Sequence, residues 1–267
     1  MKSKKLFLSF AIFTFGVFLI FTSCTKKETS NDLLSQIRSK GEIVIATEGT
    51  WAPWTYHDEN DKLVGFDVEV AEKIAEKLGV RASFVEAEWD GIFAGLDSKR
   101  YDIAANGVEV TEERLQKYDF SDAYAYIRTA LITHKNRSDI VSFEDLNGKT
   151  TANSLGSTYA ELAESYGAKT TTIDSFDQTL ELVLHGRVDA TLNAEVSFYD
   201  YMKVHPDAAF KIVALTNEAS LVSIPMRKGK ETESLIAEIN KAIAELSESG
   251  ELSEISKKYF ASDITQK

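Results

Sequence analysis

Cysteine is almost absent from this sequence, histidine is scarce, and basic charge is in deficit. A single cysteine, Cys24, in 267 residues excludes a disulfide within the chain and any metal site built on paired thiolates. His57, His134, His185 and His205 are scattered with no metal-ligand spacing, so no metal or cofactor is expected. Lysine and arginine number 30 against 42 aspartates and glutamates, a formal charge of −12. That balance favours solubility and argues against nucleic acid as a partner, since phosphate binding needs clustered cations. What is present is ordinary for a globular protein: 43% apolar and 27% charged residues. The length suits one or two domains with sizeable cores.

The N-terminus has its own grammar. "MKSKK" is a basic start, Leu6 to Phe21 an apolar stretch, and "TSC" a run of small residues ending at Cys24. This pattern predicts a secretory signal over 1–23. An uncleaved membrane anchor is the alternative, because the stretch approaches the minimum for a spanning helix. A cysteine directly after small residues resembles the lipobox of bacterial lipoproteins, which implies a lipidated Cys24 and a body tethered outside the cytoplasm. Residues 24–37, with "TKKETSNDLL", then read as a solvated linker.

From there the chain alternates short β-branched runs with helical periods. "EIVIAT" (42–47) predicts a buried strand. "DVEVAEKIAEKLGV" sets Val70, Ile74 and Leu78 four apart and closes on Gly79, an amphipathic helix with its stop signal. "ASFVEA", "YDIAAN", "ALITHK" and "KTTANS" are further strand candidates, and "WDGIFAGLDSKR" is a helix. Thr158 with Glu161, and Asp174 with Asp177, look like helix starts with capping-box chemistry. "ESLIAEINKAIAELSESG" aligns Leu235, Ile239, Ile243 and Leu246 on one face, and "ELSEISKKYF" closes the fold. Strands alternating with helices predict an α/β protein with mostly parallel sheet.

An internal echo suggests two such units. Arg100, Asp102, Asn106 and Gly107 recur in spacing as Arg187, Asp189, Asn193 and Ala194, each set following a helical pattern and opening a strand. In open α/β sheets ligands sit beyond the carboxyl ends of strands, so Asn106 and Asn193 would face one cleft from opposite sides. Trp51 and Trp89 fall at strand ends, where pocket wall and core packing are equally open to them; Trp54 reads as core. Arg114 follows Thr111, a candidate N-cap, in "NGVEVTEER". A guanidinium beside a helix start is a carboxylate site in waiting or a surface ion pair with Glu109, Glu112 or Glu113.

At this point the sequence closely resembles the extracytoplasmic solute-binding proteins of polar-amino-acid ABC importers, over nearly all of residues 40–262. The resemblance rests on "GFDVEVA", "EVTEERLQKYDFSDAY", "SLGSTYAEL" and "LVLHGRVDATLNAE", which occur together in the family's order. It implies a two-lobed periplasmic-binding-protein-like fold (type II), two Rossmann-like lobes joined by two hinge crossovers. Lobe 1 would take 38–128 and 223–262, lobe 2 129–222, with 263–267 a tail. The implied function is capture of a polar amino acid, cystine among the candidates, and its delivery to a membrane permease by a monomer.

In that family the residue matching Arg114 grips the ligand carboxylate, helped by backbone amides near Gly107. The matches of Trp51 and Trp89 flank the ligand side chain, and those of Glu48, Ser154, Ser157, Thr158 and Asn193 line the cleft. Asn106 and Glu109 are further ligand-binding candidates, Glu109 standing where relatives commonly have a small hydroxyl residue and so either turned outward or a substitute partner for the ligand. One departure stands out. Many relatives follow the position of Asn193 with an aspartate for the ligand ammonium; here it is Ala194. A buried ammonium needs an anion or several acceptors, which leaves Glu48, Glu109 and Glu195 as substitutes, or a ligand without a free amine. The rival function on the same fold is a dehydratase of prephenate-like acids, which needs a poised acid or base in the cleft.

Overall fold

The computed structural model describes residues 32–267; the leader, Cys24 and the linker up to residue 31 lie outside the described residues. The rest of the expected linker is instead the start of helix Leu33–Lys40, with Leu33, Leu34 and Ile37 buried. Strand Glu42–Thr47 forms as expected and pairs in parallel with Arg81–Glu86 on one side and Ile103–Ala104 on the other. Pro225–Arg227 and then Tyr118–Phe120 complete a five-stranded sheet, both joining antiparallel. Helix Phe66–Leu78 covers this sheet with Val70, Ala71, Ile74, Ala75 and Leu78 buried. Each large apolar side chain buried there contributes roughly 1.5–3 kcal/mol. The helix starts at Gly65, where φ is 136° and a Cβ would meet the Trp54 carbonyl oxygen at 2.1 Å, so only glycine fits. Helix Glu233–Glu248 packs alongside on the expected face of Leu235, Ile239, Ile243 and Leu246.

After Phe120 the chain leaves this sheet through Ala125–Ile127 and returns through Ser220–Val222, and these two crossing strands pair antiparallel. Between them lie the antiparallel strands Thr191–Ala194, Thr129–His134 and Phe210–Leu215, and the parallel pair Thr150–Asn153 and Lys169–Thr172. A parallel bridge from Thr151 to Ala190 links the two groups. The sheets are therefore more antiparallel than the alternation of strands and helices predicts. The reason is topological: chain that crosses out of a lobe and back re-enters it running the other way.

The internal echo has a physical basis. Asp102 accepts the Val44 N–H at 2.8 Å, and Asp189 accepts the Thr150 N–H at 2.7 Å. Each aspartate ties the start of its own strand to the neighbouring parallel strand, one in each lobe.

Both capping expectations shift by one residue. Ser157, not Thr158, caps helix Thr158–Ser165 by accepting the Ala160 N–H, and Ser175, not Asp174, caps Phe176–Leu184. Thr158 and Asp174 are thereby left free to face the cleft.

Candidate functional site

The carboxyl ends of the strands in both lobes converge on one cavity, the place where open α/β sheets take small ligands. Lobe 1 contributes Glu48 after strand Glu42–Thr47, Asn106 and Gly107 after Ile103–Ala104, Trp51, Trp89, Glu109 and Arg114. Lobe 2 contributes Ser154, Ser157 and Thr158 around the start of its first helix, and Asn193 from strand Thr191–Ala194. All the lining residues expected from sequence thus meet in one place. Asn153, Tyr159, Asp174, Phe176 and Thr179 join them and were missed. Asn153 and Tyr159 adjoin residues already singled out, Asp174 reads in sequence as a cap, and Phe176 and Thr179 carry no signal beyond helical spacing.

Arg114 occupies the third position of helix Glu112–Lys117, with Thr111 as its N-cap as expected. The residue is 8% exposed, and its guanidinium has no ion-pair partner among the described residues. Nη1 donates to the Glu109 carbonyl at 2.9 Å and Nη2 to the Gly156 carbonyl of the other lobe at 3.2 Å. The rings of Trp89 and Phe93 lie 5.2 and 5.3 Å from its central carbon, a cation–π seat that fixes the fork. Burial lowers its pKa, with the charges of Glu109 and Glu161 opposing. Such a site holds a cation at a cost and repays it when a carboxylate arrives.

The acids differ sharply in their engagements. Asn106 accepts the Glu48 N–H at 2.8 Å and donates Nδ2 to Glu48 Oε2 at 2.5 Å, so its side chain serves to hold that glutamate. Burial pushes the Glu48 carboxyl up to about 7; the Asn106 hydrogen bond opposes this and Asp174 across the cleft adds to it. Glu109 is 5% exposed, and its Oε1 accepts the Thr158 hydroxyl at 2.5 Å from the opposite lobe. Glu195 is held by Arg128 through two hydrogen bonds of 2.9 and 2.8 Å and does not line the cavity, which removes it as an ammonium partner.

Several roles are more structural than expected. The N–H of Gly107 is taken by buried Asp67, which also accepts the Tyr124 hydroxyl at 2.8 Å, so that amide is engaged by the protein itself. Gly107 has φ 57°, and a Cβ there would stand 2.6 Å from the Trp51 ring; it is glycine so that the indole can close over it. Trp51 stacks on Trp54 with centroids 5.3 Å apart and donates to Asn193 Oδ1 at 3.2 Å. Trp54 is core as expected, but its Nε1 also crosses between lobes to Ser197 at 3.1 Å. The Ser154 and Ser157 hydroxyls donate to backbone carbonyls nearby. Among the described residues no group of His, Cys, Asp and Glu could hold a metal, and no helix is long and apolar enough to cross a membrane.

Two α/β lobes, two crossing strands and a cation-bearing cavity between them define a two-lobed ligand-binding protein. Residues 43–262 match the model of the bacterial extracellular solute-binding proteins, family 3, and the chain belongs to that family. It is 42% identical over 236 residues to the L-cystine-binding protein TcyA of Bacillus subtilis, spanning 88% of this chain and 87% of the relative. Among solved structures, an ancestral arginine-binding protein bound to arginine is 37% identical with a TM-score of 0.76, over 82% of this chain and 98% of that one. The L-cystine solute receptor of Neisseria gonorrhoeae, in its unliganded open conformation, is 39% identical with a TM-score of 0.60, over 88% and 99%. At similar identity the better superposition is with the ligand-bound structure, in keeping with the hydrogen bonds that cross the cleft here.

Proposed function

We propose that this protein captures a polar amino acid outside the cytoplasm and hands it to an ABC transporter permease, with L-cystine the first ligand to test. The carrying observation is Arg114: a buried guanidinium without an ion-pair partner among the described residues, in a cavity lined from both lobes. A ligand carboxylate completes it through a bidentate charge-assisted pair. Trp51, Trp89, Asn106, Gly107, Ser154, Ser157, Thr158 and Asn193 form the surrounding wall. The names of the curated relative and of the gonococcal receptor favour cystine.

In this reading the lobes, 38–128 with 223–262 and 129–222, swing about the crossing strands Ala125–Ile127 and Ser220–Val222. A ligand touching both lobes favours the closed form by its differential affinity. Lipidation of Cys24 would tether the protein, as a monomer, to the outer face of a membrane. The dehydratase rival draws one supporting feature from the cavity, the near-neutral Glu48; incubation with prephenate tests it, and aromatic product would favour it.

The direct test is a thermal-shift screen of the amino acids and cystine. A ligand at 100 times its Kd stabilises by about 2.7 kcal/mol, or roughly 5–10 °C for a protein of this size. No shift with any amino acid would refute the proposal.

A further inference from the structure

We infer that Glu109 is the partner of the ligand's α-ammonium, so that Glu109 and Arg114 together form a receptor for a zwitterion. The inference rests on the amino-acid reading above and assigns one residue within it. Both side chains are more than nine-tenths buried and line the same cavity, yet they form no ion pair with each other. Their separation is imposed: Arg114 donates to the main-chain carbonyl of Glu109, while the Glu109 side chain turns to Thr158 in the other lobe. A buried cation and a buried anion held apart in one cavity match a molecule carrying both opposite charges.

Thr158 engages Oε1 of Glu109, and no hydrogen bond to Oε2 forms among the described residues. The other acids are differently placed. Glu48 is held by Asn106 through Oε2 and is the weaker anion, since burial pushes its carboxyl up to about 7; Asp174 is exposed at the rim, and Glu195 is bound to Arg128 away from the cavity. A second acceptor shares the cavity with Glu109: Asn153 is 3% exposed, its Nδ2 donates to the Leu192 carbonyl at 2.7 Å, and its Oδ1 has no partner among the described residues. An ammonium carries three donors and is best met by one anion with further acceptors beside it.

The test compares two probes on two proteins by titration calorimetry: L-cystine, and 3,3′-dithiodipropionate, the same skeleton without either amine. Glu109→Gln keeps the shape and a partner for Thr158. It is expected to weaken cystine on the order of 100-fold while leaving dithiodipropionate unchanged or tighter. Glu109→Asp, which restores the charge, should recover part of the cystine affinity and guards against a folding defect in the glutamine variant. Equal weakening of both probes assigns Glu109 a structural role and overturns the inference, as does cystine affinity unchanged in Glu109→Gln. Those outcomes leave the amino-acid reading standing. Failure of the unaltered protein to bind cystine or any other amino acid overturns both.

Discussion

Replacing Arg114 by methionine should separate binding from folding. The methionine keeps an unbranched apolar stem against Trp89 and Phe93 and removes the guanidinium. Two hydrogen bonds disappear, to the carbonyls of Glu109 and Gly156, worth about 1 kcal/mol each. Against this, the cost of burying a cation with no ion-pair partner among the described residues is relieved, a term of similar or larger size. The ligand-free protein should therefore change by no more than about 1 kcal/mol, which is roughly 2–4 °C in Tm. Affinity behaves differently, because the ligand carboxylate loses its buried partner at a cost of about 2–5 kcal/mol, or roughly 30- to 4,000-fold. With Arg114 only 8% exposed, the upper half of that range is expected. Calorimetry with the ligand from the screen, beside thermal melts without it, reads both quantities. A Kd within tenfold of the unaltered protein, or a loss of Tm large enough to explain the binding defect, would refute the reasoning.

Three other expectations follow from the same geometry. Glu48 and Asp67 both sit with carboxyl pKa values pushed up to about 7 by burial. A folded pKa above the unfolded one adds stability that is complete below the unfolded value and lost as pH rises through the folded value. Ligand-free Tm should thus fall between pH 5 and pH 8, by the equivalent of about 1–3 kcal/mol per group, and Glu48→Gln should flatten the slope; a Tm that rises with pH over this window contradicts the assignment. Gly107→Ala forces a Cβ to within 2.6 Å of the Trp51 ring at a φ of 57°, and should weaken ligand at least tenfold with a stability loss of about 1–3 kcal/mol; unchanged binding would mean the indole is not part of the site. Trp54→Phe removes the hydrogen bond to Ser197 across the lobes while keeping an aromatic core residue, and small-angle scattering should show the ligand-free protein shifted toward open shapes, with affinity a few-fold lower; identical profiles would show that this contact does not bias closure.

The parts of this fold legible in sequence were those set by local periodicity. Leu235, Ile239, Ile243 and Leu246 share a face because 3.6 residues make a turn, whatever else the chain does. Strand direction was not legible, since it depends on where the chain re-enters a lobe after crossing. The caps failed by a single residue for a related reason. Ser157 beside Thr158, and Asp174 beside Ser175, are equally good capping chemistries, and only the backbone angle decides which oxygen reaches the amide three residues on.

That one-residue difference matters to the site, because it frees Thr158 for Glu109 and Asp174 for the rim. The cavity's membership was legible through motifs whose order is specific to the family, but the duties of its members were not. Asn106 lines the cavity as expected and also holds Glu48; backbone amides near Gly107 were expected to help a carboxylate, and the N–H of Gly107 itself meets Asp67. Both are contacts between residues roughly 40 to 58 positions apart, beyond the reach of any local pattern.

Closure and recognition use the same atoms. Among the described residues four side-chain hydrogen bonds cross the cleft: Arg114 to Gly156, Thr158 to Glu109, Trp51 to Asn193 and Trp54 to Ser197. At a net value near 1 kcal/mol each they favour contact between the lobes by only a few kcal/mol. Opening sets against this the rehydration of Arg114 and Glu109, two charges with no ion-pair partner among the described residues. Terms of similar size and opposite sign leave a shallow balance, the condition under which a ligand can control it. Moving such an equilibrium from 1:99 to 99:1 takes about 5.5 kcal/mol of differential affinity. A zwitterion can provide that if it neutralises both charges without displacing the contacts that bridge the lobes. The Glu109 carboxylate allows this, with one oxygen turned to Thr158 and the other available to an ammonium. Under this geometry the ligand adds to the latch instead of competing with it, and an amino acid stripped of its amine should bind with less closure per unit of affinity than its parent.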